Sequence, residues 1–273
     1  MKNSLIGIGL LFLLFSIPSF AINQKIISTS PHITEILFAL GKGNSIVGVT
    51  KYCNYPKEAK SKEIIGDRNI NIEKIIKLNP DLIIADASFS SDNIEILKKR
   101  KFNILIIDCT NIKYFRESIK KIARATKSEK RAQKLLADFD NKISALSSKV
   151  KKATKNSRKR VFIEIWDSPL MTAGNSTIIN ELLELSGGEN IAIKTTGYSR
   201  IGTEFIIKEN PDAILLTTSK PETIPKSWKN LKAVKTCDIL YIDHDSFSRP
   251  SFRMLDSCEQ IFTFLYGKKD RHK

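Results

Sequence analysis

Any chemistry in this chain would have to come from scattered polar and aromatic side chains, because no compact catalytic signature occurs. The 273 residues contain no nucleophile elbow, phosphate-binding loop, metalloprotease helix or dinucleotide fingerprint. The three histidines are His32, His244 and His272, and no cluster of them with cysteine has metal-site spacing. Four cysteines, Cys53, Cys109, Cys237 and Cys258, include no CxxC pair. Cys53 and Cys109 each follow an apolar strand pattern and could meet on one rim, while free buried thiols fit the pattern equally well. Carboxylates are many, but none stand out as an acid–base pair. The residue types point to binding rather than turnover.

The side chains suited to binding cluster where strand patterns end. In the first half these are Ser30-Pro31-His32, Tyr52 and Tyr55, Asp67-Arg68, and residues 86–89 with Asp86 and Phe89. In the second half they are residues 166–171 with Trp166 and Met171, Tyr198-Ser199-Arg200, and residues 244–249 with Asp245, Ser246, Phe247, Ser248 and Arg249. Loops at the carboxyl ends of parallel strands are the usual ligand site of open α/β sheets. Aromatic and polar groups on two facing rims suit a large amphipathic ligand held between lobes. His32 opens a helix pattern, where capping or packing is its ordinary role and contact with a metal-bearing ligand the second.

The elements that must position these groups alternate strand and helix. Short Ile/Leu/Val runs at 25–28, 46–49, 82–85 and 104–107 are separated by helical patterns at 31–41, 72–78 and 93–101. Runs apolar at every position indicate a parallel sheet covered on both faces. Residues 113–160 break the rhythm: they hold no Pro or Gly and carry apolar residues at helical spacing. Two helices are expected there, the second over about 129–152. Its length suits a bridge between lobes, although a helix packed along one lobe would share the pattern. Strands then recur at 160–165, 213–217 and 239–242, with helices at 176–185 and 253–266.

A repeat ties the halves together. Gly66 to Asp81 and Gly197 to Asp212 align without a gap at an offset of 131 (204 − 73), sharing Glu, Ile-Ile-Lys and Asn-Pro-Asp. A unit this widely spaced is too long for a solenoid and indicates two similar lobes. Glu73 and Glu204 fall in the first turn of equivalent helices, where a carboxylate also favours the backbone dipole. A matched pair of acidic residues on twin lobes is what a two-fold partner could grip. The lobe openings match too, Ser30, Glu35 and Gly41 against Ser176, Glu181 and Gly187.

The N-terminus reads as a secretory signal peptide: Lys2, an apolar run over 5–17, then Ser19-Phe20-Ala21, with cleavage expected after Ala21. No cysteine follows that run to take a lipid anchor, so the mature chain is expected to be exported and soluble. The net charge of +16 comes from lysines spread along the chain, with basic runs that lack interleaved aromatics. Solvated faces account for them, and nucleic acid is not an expected partner.

Several segments carry a family resemblance: residues 30–41, Val47-Gly48-Val49, residues 52–56, residues 79–85, residues 170–174, residues 187–190 and Arg249-Pro250. With these the chain resembles the helical-backbone (class III) substrate-binding proteins of ABC importers, and within them the cobalamin (vitamin B12) binders. Ferric-siderophore and haem binders share much of this frame. The resemblance implies an α/β fold of two Rossmann-like lobes with parallel sheets, joined by a single long helix, with a ligand cleft between lobes and little closure. The corresponding division is signal peptide 1–21, N-terminal lobe 22–112, helical segment 113–159 and C-terminal lobe 160–273.

The resemblance further implies a periplasmic, non-enzymatic, monomeric carrier of cobalamin or a related corrinoid, with siderophore or haem as the alternative cargo. It implies no cofactor beyond that metal-bearing cargo. Its partner would be the permease dimer of an importer in the inner membrane, docked on Glu73 and Glu204. The implied ligand set is His32, Tyr52, Asp67, Asp86, Phe89, Trp166, Met171, Tyr198, Asp245, Ser246, Phe247, Ser248 and Arg249. Asp67 and Asp86 stand where enterobacterial members carry tryptophans, and Met171 where they carry phenylalanine; Trp166 and Phe89 are available to replace those rings. Some members pair a cysteine near Ser186 with one at Cys258, a bridge this chain lacks.

Overall fold

The computed structural model describes residues 24–267 except Arg68, Ser90, Asn156, Ser219 and residues 221–223. The signal-peptide reading and His272 lie outside the described residues.

The first lobe is a five-stranded parallel sheet in the order β3-β2-β1-β4-β5. Its strands are β1 (Ile26–Ser28), β2 (Ile46–Val49), β3 (Glu63–Ile64), β4 (Leu82–Asp86) and β5 (Ile104–Ile107), with helices α1 (Pro31–Ala39), α2 (Ile72–Leu78) and α3 (Ser91–Lys99) between them. Two helices follow, α4 (Ile112–Thr126) and α5 (Glu129–Ala153). The second lobe contains β6 (Lys159–Glu164), β7 (Trp166–Asp167), β8 (Leu170–Ala173), α6 (Ile178–Leu185), β9 (Gly188–Asn190), β10 (Tyr198–Arg200) and α7 (Thr203–Glu209). It closes with β11 (Ala213–Leu216), α8 (Lys232–Lys235), β12 (Ile239–Tyr241), α9 (His244–Ser248) and α10 (Met254–Tyr266). Its main sheet is parallel in the order β12-β11-β6-β9, and β10-β8-β7 form a small antiparallel sheet.

The unpatterned apolar strands are explained by burial on both faces. Successive residues point to opposite sides of a strand. Ile26, Leu82 and Ile84 face the central core, whereas Ile27 and Ile83 join Ile75 and Leu97 in an outer cluster. In the second lobe Val161, Ile163, Ala213 and Leu215 face inward, while Phe162, Ile214 and Leu216 pack outward with Ile206 and Trp228.

The long helix bridges the lobes. Near its start, Arg131 donates from Nε to the Ala39 carbonyl of α1, and near its end Val150 lies beside Gly187 at the end of α6. Twenty-five residues at about 1.5 Å each give the reach. Phe115 of α4, Phe139 of α5 and Phe252 before α10 stack with centroids 5.3–6.0 Å apart. One apolar cluster therefore runs from Ile26 in the first lobe to Val161 and Leu182 in the second. Such continuity resists hinge bending, because interiors packed this densely deform at a cost.

Sequence reasoning missed the small antiparallel sheet and α9. Residues 166–171 read as a loop, yet they form a tight hairpin that β10 extends. In residues 244–249, the Asp243 carboxylate accepts from Ser246 N at 2.9 Å and starts a five-residue helix. Turning that segment into a helix buries one of its side chains completely, as described below.

Candidate functional site

The strand ends of the two lobes carry one histidine each, His32 after β1 and His244 after β12. His32 follows β1 on the first turn of α1, where Pro31 occupies the opening position. Its Nε2 sits 3.2 Å from Oδ2 of Asp86, the last residue of β4. Burial alone would raise the Asp86 carboxyl, but His32 and the amide and hydroxyl of Ser88 hold it below the usual carboxylate range. His244, after β12, has Nδ1 3.2 Å from the Thr217 hydroxyl. Burial lowers its pKa, with Arg249 adding to the effect and Asp245 and Asp243 opposing it.

Three large aromatic side chains stand open on the rims. Tyr52 is 47%, Trp166 49% and Tyr198 51% exposed. Trp166 pairs with Met171 across the hairpin, and Arg200 and Tyr198 of β10 pair with Met171 and Ala173, so one face of the small sheet carries all of these side chains. Burial pushes the Tyr198 phenol up, although the residue as a whole is half exposed. Lys51 lies over the Tyr52 ring and donates to Asp67 at 2.7 Å. Phe89 is half-buried, its amide donating to the Asp86 carbonyl at 2.8 Å.

A network of charged side chains joins the lobes. Glu35 of α1 is buried and accepts two hydrogen bonds from Arg253, at 2.9 and 2.7 Å. Arg249 reaches the same carboxylate at 3.4 Å, the Asn54 side-chain oxygen at 2.6 Å and the Tyr52 carbonyl at 3.3 Å. It also pairs with Asp245 at 2.7 Å, and Asn54 donates to Asp245 at 2.8 Å. Arg253 stacks on Tyr55, 3.8 Å from the ring centroid. The loop that carries Tyr52 is thus held by the opposite lobe. Sequence reasoning missed Asn54 and Arg253 and saw Glu35 only as part of a repeat. A lone carboxylate on a mostly apolar helix was the available signal.

Several expected ligand residues therefore have other work. Phe247 is fully buried in the core and offers no ring to the cleft, because α9 turns it inward. Arg249 and Asp245 are engaged in the inter-lobe network, and Ser248 donates its hydroxyl to the His244 carbonyl within α9. Ser246 bonds back to Asp243 through both its amide and its hydroxyl. Asp67 accepts from Lys51 and from Asn69 N, and Met171 packs partly against the core. Tyr52, Trp166 and Tyr198 are the residues left facing open space.

The four cysteines are free: Cys53, Cys109 and Cys258 are buried and Cys237 is exposed. Burial pushes the Cys109 and Cys258 thiols up to about 12, and the hydroxyl of Ser186 lies beside the latter. No group of metal-binding side chains occurs among the described residues. Two larger surface hollows, of about 770 and 840 Å³, lie elsewhere and have mixed linings of charged, polar and apolar residues.

Glu73 and Glu204 are both exposed, each at the second residue of its helix. The repeat around them is equivalent in three dimensions. Asn79 and Asn210 both end their helices in the left-handed region, with φ of 46° and 43°. Asp81 accepts from Lys25 N at 2.7 Å, and Asp212 from Arg160 N at 2.9 Å, each fastening the lobe's first strand.

A family model described as periplasmic binding protein matches residues 26–245. An uncharacterized ABC transporter substrate-binding lipoprotein of Bacillus subtilis is 36% identical over 251 residues, covering 89% of this chain and 80% of that protein. The crystal structure of the periplasmic vitamin B12 binding protein of Vibrio cholerae superposes with a TM-score of 0.80 at 28% identity, covering 89% and 96% of the two chains. A possible iron-binding (periplasmic solute-binding) protein from Staphylococcus epidermidis gives a TM-score of 0.77 at 30% identity, covering 89% and 98%.

Proposed function

Because the chain belongs to the periplasmic binding protein family, we propose that it carries cobalamin or a related corrinoid to the permease of an ABC importer. It is a substrate-binding protein rather than an enzyme, with a small-molecule ligand and a permease as partner. No helix among the described residues is long and apolar enough to cross a membrane. In this reading the chain is exported, its leader is removed after Ala21, and it works as a monomer.

The observation that carries the cargo assignment is the set of open rings, Tyr52 from one lobe and Trp166 and Tyr198 from the other. Flat faces on opposite rims suit a wide, rigid, amphipathic macrocycle, whose burial yields apolar contact without ordering a flexible ligand. The inter-lobe network and the continuous core favour a preformed cleft, so ligand enters without large closure. Similarity to the vitamin B12 binding protein of Vibrio cholerae supports the same cargo class.

Ferric siderophore or haem is the second reading, favoured by the similarity to a possible iron-binding protein and by His32 at the end of β1. Calorimetric titrations with cyanocobalamin, haem and a ferric siderophore, run in parallel, separate them. The corrinoid reading expects saturable binding of cyanocobalamin at micromolar affinity or tighter, about −8 kcal/mol, and weak binding of the others. Binding of haem or siderophore alone transfers the assignment to that cargo.

A further inference from the structure

Within the gapless repeat, nearly every shared residue has a structural role. Ile75 and Ile206 are fully buried, Asn79 and Asn210 provide left-handed helix ends, and Asp81 and Asp212 fasten the first strands. Three shared positions have no such role. They are Glu73, Ile76 and Lys77 on α2, and Glu204, Ile207 and Lys208 on α7, all exposed. Spacings of three and four residues put each trio on one helix face. Ile76 is 43% and Ile207 47% exposed, the one pair of large apolar residues in the repeat that is open in both lobes.

A single exposed isoleucine needs no explanation. The same isoleucine left open at equivalent positions, one turn from equivalent carboxylates, is harder to assign to chance. Neither Glu73 nor Glu204 has an ion-pair or hydrogen-bond partner among the described residues. Lys74, beside Glu73, is directed away, to Glu63 at 2.7 Å and the Ile64 carbonyl at 2.9 Å. The carboxylates are free to accept an external cation, and each stands beside an uncovered apolar side chain.

We propose that Ile76 and Ile207 are contact residues of the transporter interface, so that each lobe presents a composite acidic and apolar tip. The proposal rests on the importer reading given above. The partner it fits has two related halves, as a permease dimer does, each offering a cationic side chain beside an apolar depression. An ionic grip alone weakens as salt screens it. The isoleucine contacts give the interface a component that salt leaves in place.

The test measures binding to the permease dimer of the protein's own transporter, held in lipid nanodiscs, at low and at about 0.5 M salt. Wild type is compared with Glu73→Gln/Glu204→Gln and with Ile76→Ser/Ile207→Ser, all checked for an unchanged melting curve. The glutamine pair is expected to weaken binding chiefly at low salt and to flatten its salt dependence. The serine pair is expected to weaken binding about tenfold per site at both salt levels, with the salt dependence intact. Wild-type affinity in the serine pair overturns the proposal while leaving the importer reading in place. Absence of binding by the wild type overturns the importer reading and this proposal with it.

Discussion

Asp81 and Asp212 make the same bond in the two lobes, yet fourteen residues upstream of each the lobes part company. At the equivalent position one lobe has Asp67, tied to Lys51, and the other has Tyr198, an exposed ring. The helix starts differ as well. Asn71 caps α2 by accepting from Lys74 N at 2.8 Å, whereas α7 begins after Gly202, and the Glu204 carboxylate lies over that glycine. The two copies agree where they fasten strands and end helices, and differ at Asp67 against Tyr198 and at the helix starts. In the proposed function, shared exposed positions would serve the transporter and divergent ones at the strand ends the cargo.

The lobe openings extend the comparison. Glu35 of α1 and Glu181 of α6 occupy matching places, and both reach beyond their own lobe's core. Glu35 meets two arginines near the C-terminus, while Glu181 accepts from Ile112 N at 2.8 Å, at the start of α4. The first is a buried charge facing charges, the second a half-buried charge facing one amide. Glu35→Ala leaves Arg253 without a carboxylate partner and Arg249 with Asp245 alone, and is expected to cost about 3–5 kcal/mol. Glu181→Ala is expected to cost about 1–2 kcal/mol. Urea unfolding of both variants measures the difference; equal losses would mean that the two glutamates do equivalent work.

A smaller effect separates the two histidine-bearing strand ends. His244 has a folded pKa below its unfolded value, so the unfolded chain binds the proton more readily. Its contribution to stability is complete above about pH 6.5 and is lost as pH falls from there toward the folded pKa. Asp86 also has a lowered folded pKa, and its contribution is lost only at lower pH, below the ordinary carboxylate range. His244→Gln is therefore expected to flatten the decline in melting temperature that begins near pH 6.5, leaving the more acidic decline unchanged. An unaltered profile would show that another group governs the upper window.

Much of the fold was legible because its signals are local. Apolar strands, the breaks at Gly41 and Gly187, and the uninterrupted 113–160 stretch each left a readable pattern; the two glycines take φ of 76° and 88° after α1 and α6. The bridge could not be told from a helix lying along one lobe until Arg131 and Val150 were seen at opposite ends. Tyr52, Trp166 and Tyr198 were legible as strand-end aromatics. Phe247 was misread because a five-residue helix depends on Asp243 as its cap, and a segment that short has no periodicity to reveal which side turns inward. The Glu35 network was invisible because its partners lie about two hundred residues apart, 191 to 218, and meet only through the fold.

The central claim is that shared repeat positions serve docking and divergent ones serve cargo. The most direct test is the cyanocobalamin affinity of Tyr198→Ala beside that of Glu204→Gln, two changes six residues apart. Loss of an aromatic contact of this kind is worth about 1.4 kcal/mol or more, so Tyr198→Ala is expected to weaken binding about tenfold or further. Glu204→Gln is expected to bind as the wild type does. Unchanged affinity in Tyr198→Ala, or a comparable loss in Glu204→Gln, would contradict the account.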